Sequence, residues 1–565
     1  MEIDLFPEKS QYLTNEPVKI LAELSELPPE DCAAILKIYR LDQIIAIKKQ
    51  TFTQKSIRFE LDGFSESFAG FGAQLTLLQG KHEVQSAATA FDVVSEHRKA
   101  IRYGFLSDFG AQDSDCDDVE NLRKYHINMV QFYDWSYRHD CLVAPTDRYT
   151  DMMGRSVSLN TVKSKIDACR RCGMKSLGYG AVYAASKAFF TEHPDWGLYT
   201  SADEPLVFID IFYIMNVARS SPWHNHIIAE YAKAVLQLGF DGIHMDTYGF
   251  PKTAFAKSEK KNELIRLEEQ YPDLIEDTKH ALNAIKADND LIFNNVGNWP
   301  VKSVARSPQD AVYIEVWEPY SHYSQIKQII MDAKQACSYD KPVILAAYLA
   351  PFRTDTPERA KNAALLLTAA IASNGATHLL LGEKDGVLTQ GYYVDHSFLS
   401  REQADSIRGY YDFLVRYMEL LNDSTLRDVS FTHIGWDNTE YACVNQPWSA
   451  DARPGTLWLT ITENQKYKCI HLINLCGCEN DEWNKGKETP SVQRDVRFRV
   501  QLDTAAEGIY FASPDVNHGE PQKLSHTIIK TDRGMAAEFS VPSVFCWSMV
   551  YIKLSERYIG QEDLQ

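Results

Sequence analysis

Through residue 97, apolar side chains alternate with polar ones in short segments such as Val18-Lys-Ile-Leu-Ala and Ala33-Ala-Ile-Leu-Lys-Ile-Tyr, divided by Pro and Gly. A period of two with that punctuation predicts the strands of a small β-sandwich. From Arg98 the pattern changes to short apolar runs alternating with longer amphipathic stretches. That alternation predicts βα units around a parallel sheet. Apolar runs open at Tyr103, Ile127, Met174, Gly242, Leu291, Ala311, Pro342 and Thr377, and eight such strands close a (β/α)8 barrel. Between them, Ser221-Pro222 followed by Ile227, Tyr231, Val235 and Leu238 on one stripe, then Gly239, predicts a capped helix. Lys257 to Lys286 and Gln325 to Ala336 share the helical period, and Lys361 to Ala372 is apolar enough for a deeply packed helix. After Leu421 strand patterns return, in Thr456-Leu-Trp-Leu-Thr-Ile, Cys469-Ile-His-Leu-Ile-Asn-Leu and Val496-Arg-Phe-Arg-Val-Gln-Leu. The expected architecture is therefore α/β: a β-sandwich over 1–97, a (β/α)8 TIM barrel over 98–421 and a C-terminal β-sandwich over 422–565.

Charge and composition narrow the partners. Seventy-seven acidic against 58 basic side chains leave a net charge of -19, which repels nucleic acid and anionic membrane surfaces and is indifferent to neutral ligands. Aromatic residues make up 12% of the chain, enough to offer stacking faces to sugar rings. No apolar run reaches the ~18 residues of a membrane span. The start, Met1-Glu-Ile-Asp-Leu-Phe-Pro-Glu-Lys-Ser, lacks the basic-then-apolar order of an export signal. A cytoplasmic location is expected, or an extracellular one if a signal peptide has been removed. The 11 cysteines show no framework spacing and are expected as free thiols. Cys169-Arg-Arg-Cys172 and Cys476-Gly-Cys478 lie too far apart along the chain for a four-ligand zinc spacing, and no phosphate-binding glycine loop or GxSxG elbow occurs. Neither metal nor cofactor is expected.

In a barrel of this kind, catalytic groups stand at the C-terminal ends of the strands. Phe240-Asp-Gly-Ile-His-Met-Asp ends on Asp246, and alternation puts His244 and Asp246 on one face with Ile243 and Met245 on the other. The sixth strand places Tyr313, Glu315 and Trp317 on one face likewise. Glycoside hydrolysis needs two carboxyl groups flanking the bond, and Asp246 with Glu315 fit. Glu318 lies on the opposite strand face, before Pro319, and is assigned to a loop. Other strand ends offer sugar-binding groups: Tyr133, Asp134, Trp135, Tyr137 and His139 after the second strand, Asn294 and Asn295 on the fifth, Glu383 and Asp385 after the eighth. His244 is expected to orient a neighbour rather than to hold a metal.

Tyr12-Leu-Thr-Asn-Glu-Pro-Val-Lys-Ile, Asn128-Met-Val-Gln-Phe-Tyr-Asp-Trp-Ser-Tyr-Arg-His, Gly239-Phe-Asp-Gly-Ile-His-Met-Asp, Tyr313-Ile-Glu-Val-Trp, His471-Leu-Ile-Asn-Leu and Ala512-Ser-Pro-Asp resemble segments of glycoside hydrolase family 66. That family holds the dextranases and the cycloisomaltooligosaccharide glucanotransferases. The resemblance implies an immunoglobulin-like N-terminal domain, the barrel and a C-terminal β-domain. It also implies the nucleophile role for Asp246 and the acid/base role for Glu315, in retaining cleavage of α-1,6-glucosidic links of dextran or isomaltooligosaccharides. Cyclising members carry a carbohydrate-binding module inserted in the barrel, and the span 349–376 is too short to house one. Hydrolysis of the dextranase type is therefore the first expectation. Cyclising glucanotransferase activity is the alternative, and a non-catalytic carbohydrate-binding barrel is a third reading.

Overall fold

The computed structural model describes residues 1–27, 31–257 and 263–558. At the N-terminus, Ile3–Pro7, Val18–Leu24 and Ser56–Leu61 form a three-stranded antiparallel sheet. A second sheet runs Tyr12–Leu13, His82–Val94, Phe68–Gln79, Cys32–Arg40, Gln43–Thr51. Period-two alternation does here what it must: Val18, Ile20 and Ala22 point inward and share a core with Leu36, Phe71 and Leu75. The two sheets thus form the expected sandwich.

Eight parallel strands follow: β1 (Tyr103–Leu106), β2 (Met129–Phe132), β3 (Lys175–Ala181), β4 (Gly242–Asp246), β5 (Asp290–Val296), β6 (Ala311–Glu315), β7 (Val343–Ala346) and β8 (Thr377–Leu379). Each pairs with the next in chain order. Just beyond β8, the short β9 (Leu381–Gly382) pairs in parallel with β1 through Gly382 and Phe105. The segment 377–382 therefore touches both edges of the sheet. Every expected strand of this region is present, in a mixed α/β architecture. Inward side chains such as Tyr103, Met129, Leu177, Ile292, Tyr313 and Ile344 make one cluster, distinct from the larger cluster under the helices.

Of the expected helices, Pro222–Leu238 has the Ser221 hydroxyl accepting from the Trp223 N–H, and Gly239 ends it at φ 86. Tyr323–Ala336 and Pro357–Ser373 also form, the latter buried along nearly its whole length. The expectation for Lys257 to Lys286 needs correction, apart from residues 258–262, which lie outside the described residues. Thr253–Ala256 and Glu263–Arg266 pair antiparallel, and the helix begins only at Leu267. Ala254, Ala256 and Ile265 are buried in that strand pair, so an alternating pattern hidden inside a polar stretch prevails over the helical period.

The C-terminal segments Leu457–Glu463, Tyr467–Asn474 and Gln493–Leu502 are strands of a seven-stranded and a four-stranded sheet facing each other across Leu459, Ile470, Phe498 and Val541. The outer face of the larger sheet packs Trp458, Ile473 and Trp547 against Pro357–Ser373 and the helix Arg401–Arg416. The N-terminal sandwich is joined to the parallel sheet by a buried pair, with Arg102 Nη2 2.8 Å from Asp92 Oδ1. All eleven cysteines are unpaired.

Gly242, at the start of β4, marks the tightest strand approach. A β-carbon there would stand 1.8 Å from the carbonyl oxygen of Asp290. Backbone cannot yield as a flexible side chain would, so Gly242→Ala is expected to destabilise the protein by about 2–3 kcal/mol. A lowered urea midpoint at unchanged slope is the expected readout. A midpoint equal to that of the unsubstituted protein would refute the close approach.

Candidate active site

Beyond the C-terminal ends of the parallel strands, loops enclose a cavity of about 550 Å³. Asp246 ends β4 and Glu315 ends β6, with β5 between them, and both carboxyl groups are half-buried in the cavity floor. Alternation sends His244 and Asp246 into the cavity, while Ile243 and Met245 join the core under the helices. On β6, Tyr313 and Glu315 face the cavity and Val312 and Ile314 face outward.

Each carboxylate accepts a hydrogen bond from a tyrosine and one from a shared amide. The Tyr179 hydroxyl donates to Asp246 Oδ2 at 2.7 Å, and the Tyr348 hydroxyl donates to Glu315 Oε1 at 2.7 Å. The second donor is common to both, because Asn294 Nδ2 lies 2.7 Å from Asp246 Oδ1 and 3.1 Å from Glu315 Oε2. Laid end to end those two bonds cap the gap between the bonded oxygens below the ~6.5 Å at which the carboxyl separations of inverting glycosidases begin, on the side of retaining ones.

The charges are held out of balance with bulk water. Burial, then the facing charge of Glu315, pushes Asp246 up to about 7, against the hydrogen bonds from Asn294 and Tyr179. Burial likewise raises Glu315 above the ordinary carboxyl range, against donors on Tyr348, Asn294 and Trp317. Two carboxyls this close do not both ionise readily, so the pair retains a proton near neutral pH. Beneath them, burial depresses His244 to about 3, leaving a neutral ring whose Nδ1 is 2.8 Å from the Tyr103 hydroxyl. That ring orients its neighbour.

Of the other sequence-derived candidates, Tyr133, Asp134, His139, Asn294 and Trp317 line the cavity. Tyr133 stacks on Tyr393 at 4.5 Å, and His139 stacks on Phe212 at 4.7 Å. Asp134 adopts a left-handed φ of 51 and has its carboxyl pushed up to about 7 by burial, with the Arg155 guanidinium only 4.0 Å away to offset it. Trp317 is 43% exposed at the mouth, edge-on to Tyr348.

Five candidates lie elsewhere. Trp135 points away from Tyr133 along the chain, is fully buried against Phe240, and donates Nε1–H to the Tyr179 carbonyl. Tyr137 is covered by the Arg138 guanidinium at 4.1 Å and sits edge-on to Tyr149, outside the cavity. Asn295 faces outward from β5, donating to the Tyr313 carbonyl at 2.8 Å. Glu383 accepts from the Ser107 and Asp108 N–H groups, so its buried carboxyl ties the end of β9 to the end of β1. Asp385 accepts from Asn121 Nδ2 and the Tyr125 hydroxyl, both at 2.7 Å, and anchors a loop. Glu318, assigned to a loop, is exposed in the turn after β6.

Several lining residues escaped the sequence reading. Tyr179 and Tyr348 close the third and seventh apolar runs, so the rule that picked Asp246 would have found them had hydroxyls been weighed with carboxyls. Phe208 and Phe212 sit on a short antiparallel pair inserted after β3 and Tyr393 on the segment beyond β9, and none carries a local signal.

The chain matches the Glycosyl hydrolase family 66 model over residues 7–551. Two relatives from Niallia circulans, both cycloisomaltooligosaccharide glucanotransferases, are 24% identical. The first aligns over 97% of this chain and 71% of its own length, the second over 83% and 63%. The chain thus spans under two thirds of that second relative. Among solved structures, a cycloisomaltooligosaccharide glucanotransferase from Paenibacillus sp., complexed with cycloisomaltoheptaose, superposes with a TM-score of 0.87 at 21% identity, covering 97% of this chain and 99% of that one. At that identity the superposition establishes the fold alone. A family match spanning nearly every residue from the N-terminal sandwich to the last strand shows that the chain belongs to glycosyl hydrolase family 66.

Proposed function

We propose that this protein is a retaining enzyme of α-1,6-glucans that transfers glucosyl chains to form cyclic isomaltooligosaccharides, with Asp246 as nucleophile and Glu315 as acid/base. The observation that carries the chemistry is the single amide nitrogen within hydrogen-bond reach of both carboxylates. It keeps the two carboxyl groups closer than the inverting arrangement requires, which suits direct attack. The substrate class and the cyclising outcome rest on the two glucanotransferase relatives. They favour the alternative drawn from the sequence over the dextranase reading that came first.

In the first step the Glu315 carboxylic acid protonates the glycosidic oxygen while the Asp246 carboxylate bonds to the anomeric carbon, and the leaving chain departs with its new hydroxyl. In the second, Glu315 takes the proton of an incoming hydroxyl as that oxygen displaces Asp246. Transfer requires a sugar hydroxyl to outcompete water at this point. An apolar rim of Met153, Phe208, Ile209, Phe212 and Trp317 around the cavity favours a sugar face over loose water. Asp134, His139 and Tyr133 are assigned to binding sugar hydroxyls and faces.

In this reading β1–β9 close a (β/α)8 barrel over 98–421, between an immunoglobulin-like sandwich over 1–97 and a C-terminal sandwich over 422–565. Hydrolysis remains the second reading on a specific observation. The span 349–376 is filled by the helices Pro351–Thr354 and Pro357–Ser373 and holds no inserted module.

Asp246→Asn and Glu315→Gln are each expected to cut turnover on dextran by roughly 10⁴-fold or more, measured against folded protein by circular dichroism. Near-normal turnover in either variant would overturn the assignment. Chromatography of the products then separates the readings: cyclic isomaltooligosaccharides support transfer, linear ones alone support hydrolysis, and binding without turnover a carbohydrate-binding protein. A third expectation concerns pH. On a glucosyl fluoride, whose leaving group needs no proton, loss of activity at alkaline pH should vanish in Glu315→Gln, because no acid remains to deprotonate.

A further inference from the structure

Strand order forces Asn294 between the two carboxyl groups. β5 lies between β4 and β6, Phe293 is paired with Met245 and Asn294 with Tyr313, so the inward side chain of this layer has Asp246 on one flank and Glu315 on the other. Each carboxylate has a tyrosine donor of its own, Trp317 adds a donor on Glu315, and one amide is shared. The other end of that amide is free. Asn294 Oδ1 is buried and has no hydrogen-bond partner among the described residues, whereas the backbone carbonyl is held by the Thr247 hydroxyl at 3.2 Å. A buried oxygen left unpaired carries a desolvation penalty, and nothing but the carboxylates fixes the orientation of the amide plane. Turned over, it would set its oxygen against two carboxylate oxygens.

We propose that Asn294 is a positioning residue whose amide follows the negative charge from Asp246 to Glu315 and back during the reaction. The inference rests on the retaining mechanism above. The shorter bond, 2.7 Å against 3.1 Å, is to Asp246, and it favours the anion there against the burial and the facing Glu315 charge that hold that carboxyl up at about 7; the reactive form carries the charge on Asp246 and the proton on Glu315. When the Asp246 oxygen bonds to the anomeric carbon and Glu315 gives up its proton, the charge moves to Glu315 and the amide N–H groups strengthen their bond on that side. The second step reverses this. Because the donor is common to both sites, the stabilisation is transferred within one side chain and no water has to reorganise.

Other groups facing the pair are accounted for. Asp134 stands across the cavity, close enough for its charge to raise Asp246. His244 and His139 are held neutral by burial. The phenols of Tyr179, Tyr248, Tyr348 and Tyr393 are all raised above their ordinary range and stay protonated. None of these touches both carboxylates.

The test compares kcat/KM against pH on isomaltooligosaccharides for three variants. Tyr179→Phe removes a donor from Asp246 alone and should move only the acid limb to higher pH, by about one unit. Tyr348→Phe should move only the alkaline limb upward. Asn294→Ala should move both limbs upward together and lower kcat by about 10²-fold with KM little changed. Activity lost from Asn294→Ala with both limbs in place, or a shift of one limb only, overturns the inference. If Asn294→Ala does not fold by circular dichroism, Asn294→Ser is read the same way. Asp246→Asn keeps this separate from the underlying assignment: that variant staying active removes the mechanism itself, whereas unmoved limbs in an Asn294 variant remove only the shared role.

Discussion

Two carboxyl groups buried side by side repel when both are charged, and the site is arranged around keeping them close regardless. Asp246 and Glu315 are brought together by strands that are each rigid on their own, β4 and β6, with β5 as the spacer. A spacer of one strand sets the distance, and the side chain on that strand softens the repulsion. Tyr179 and Tyr348 stabilise each carboxylate from the far side, so neither has to swing away to find a donor. A carboxyl in bulk water would be ionised well below neutrality, but here burial raises both.

Holding that geometry is the work of the surrounding layers. Inward side chains fill the space beneath the carboxylates, with the neutral His244 between the rings of Tyr103 and Tyr313. Glu383 joins the last parallel segment to the first through the backbone of Ser107 and Asp108, at the same end of the strands as the cavity. Its raised carboxyl, pushed up to about 7 by burial and by the charge of Asp108, resembles that of a catalytic group. It lies outside the cavity, so a perturbed carboxyl alone does not identify a catalytic one. The C-terminal sheet covers Pro357–Ser373, which explains how a helix apolar on nearly every side is accommodated.

The cavity mouth has a different origin. Phe208, Ile209 and Phe212 belong to a small hairpin inserted after β3, and Ile209 and Asp210 both take left-handed φ values of 47 and 61. A β-branched residue in that region carries strain, which an apolar wall over a polar floor makes intelligible as part of the site. Tyr392 and Tyr393 enter from the segment beyond β9 and complete the wall opposite.

Element order, the register of apolar faces and the identity of the two central carboxyl groups were legible in the amino-acid sequence, because each depends on local alternation: an apolar run of period two declares its inward face, and Asp246 and Glu315 fall on it. The same local rule misjudged Trp135, Tyr137 and Asn295, where a single step along the backbone reverses the face or a bend after the strand redirects the chain. It also assigned Glu383 and Asp385 to a sugar when backbone amides and a phenol bind them. Which loop residues meet across the cavity, and that one amide on β5 reaches both acids, only the tertiary structure decided. Those contacts join segments far apart along the chain, and no periodicity of side chains records the distance between them.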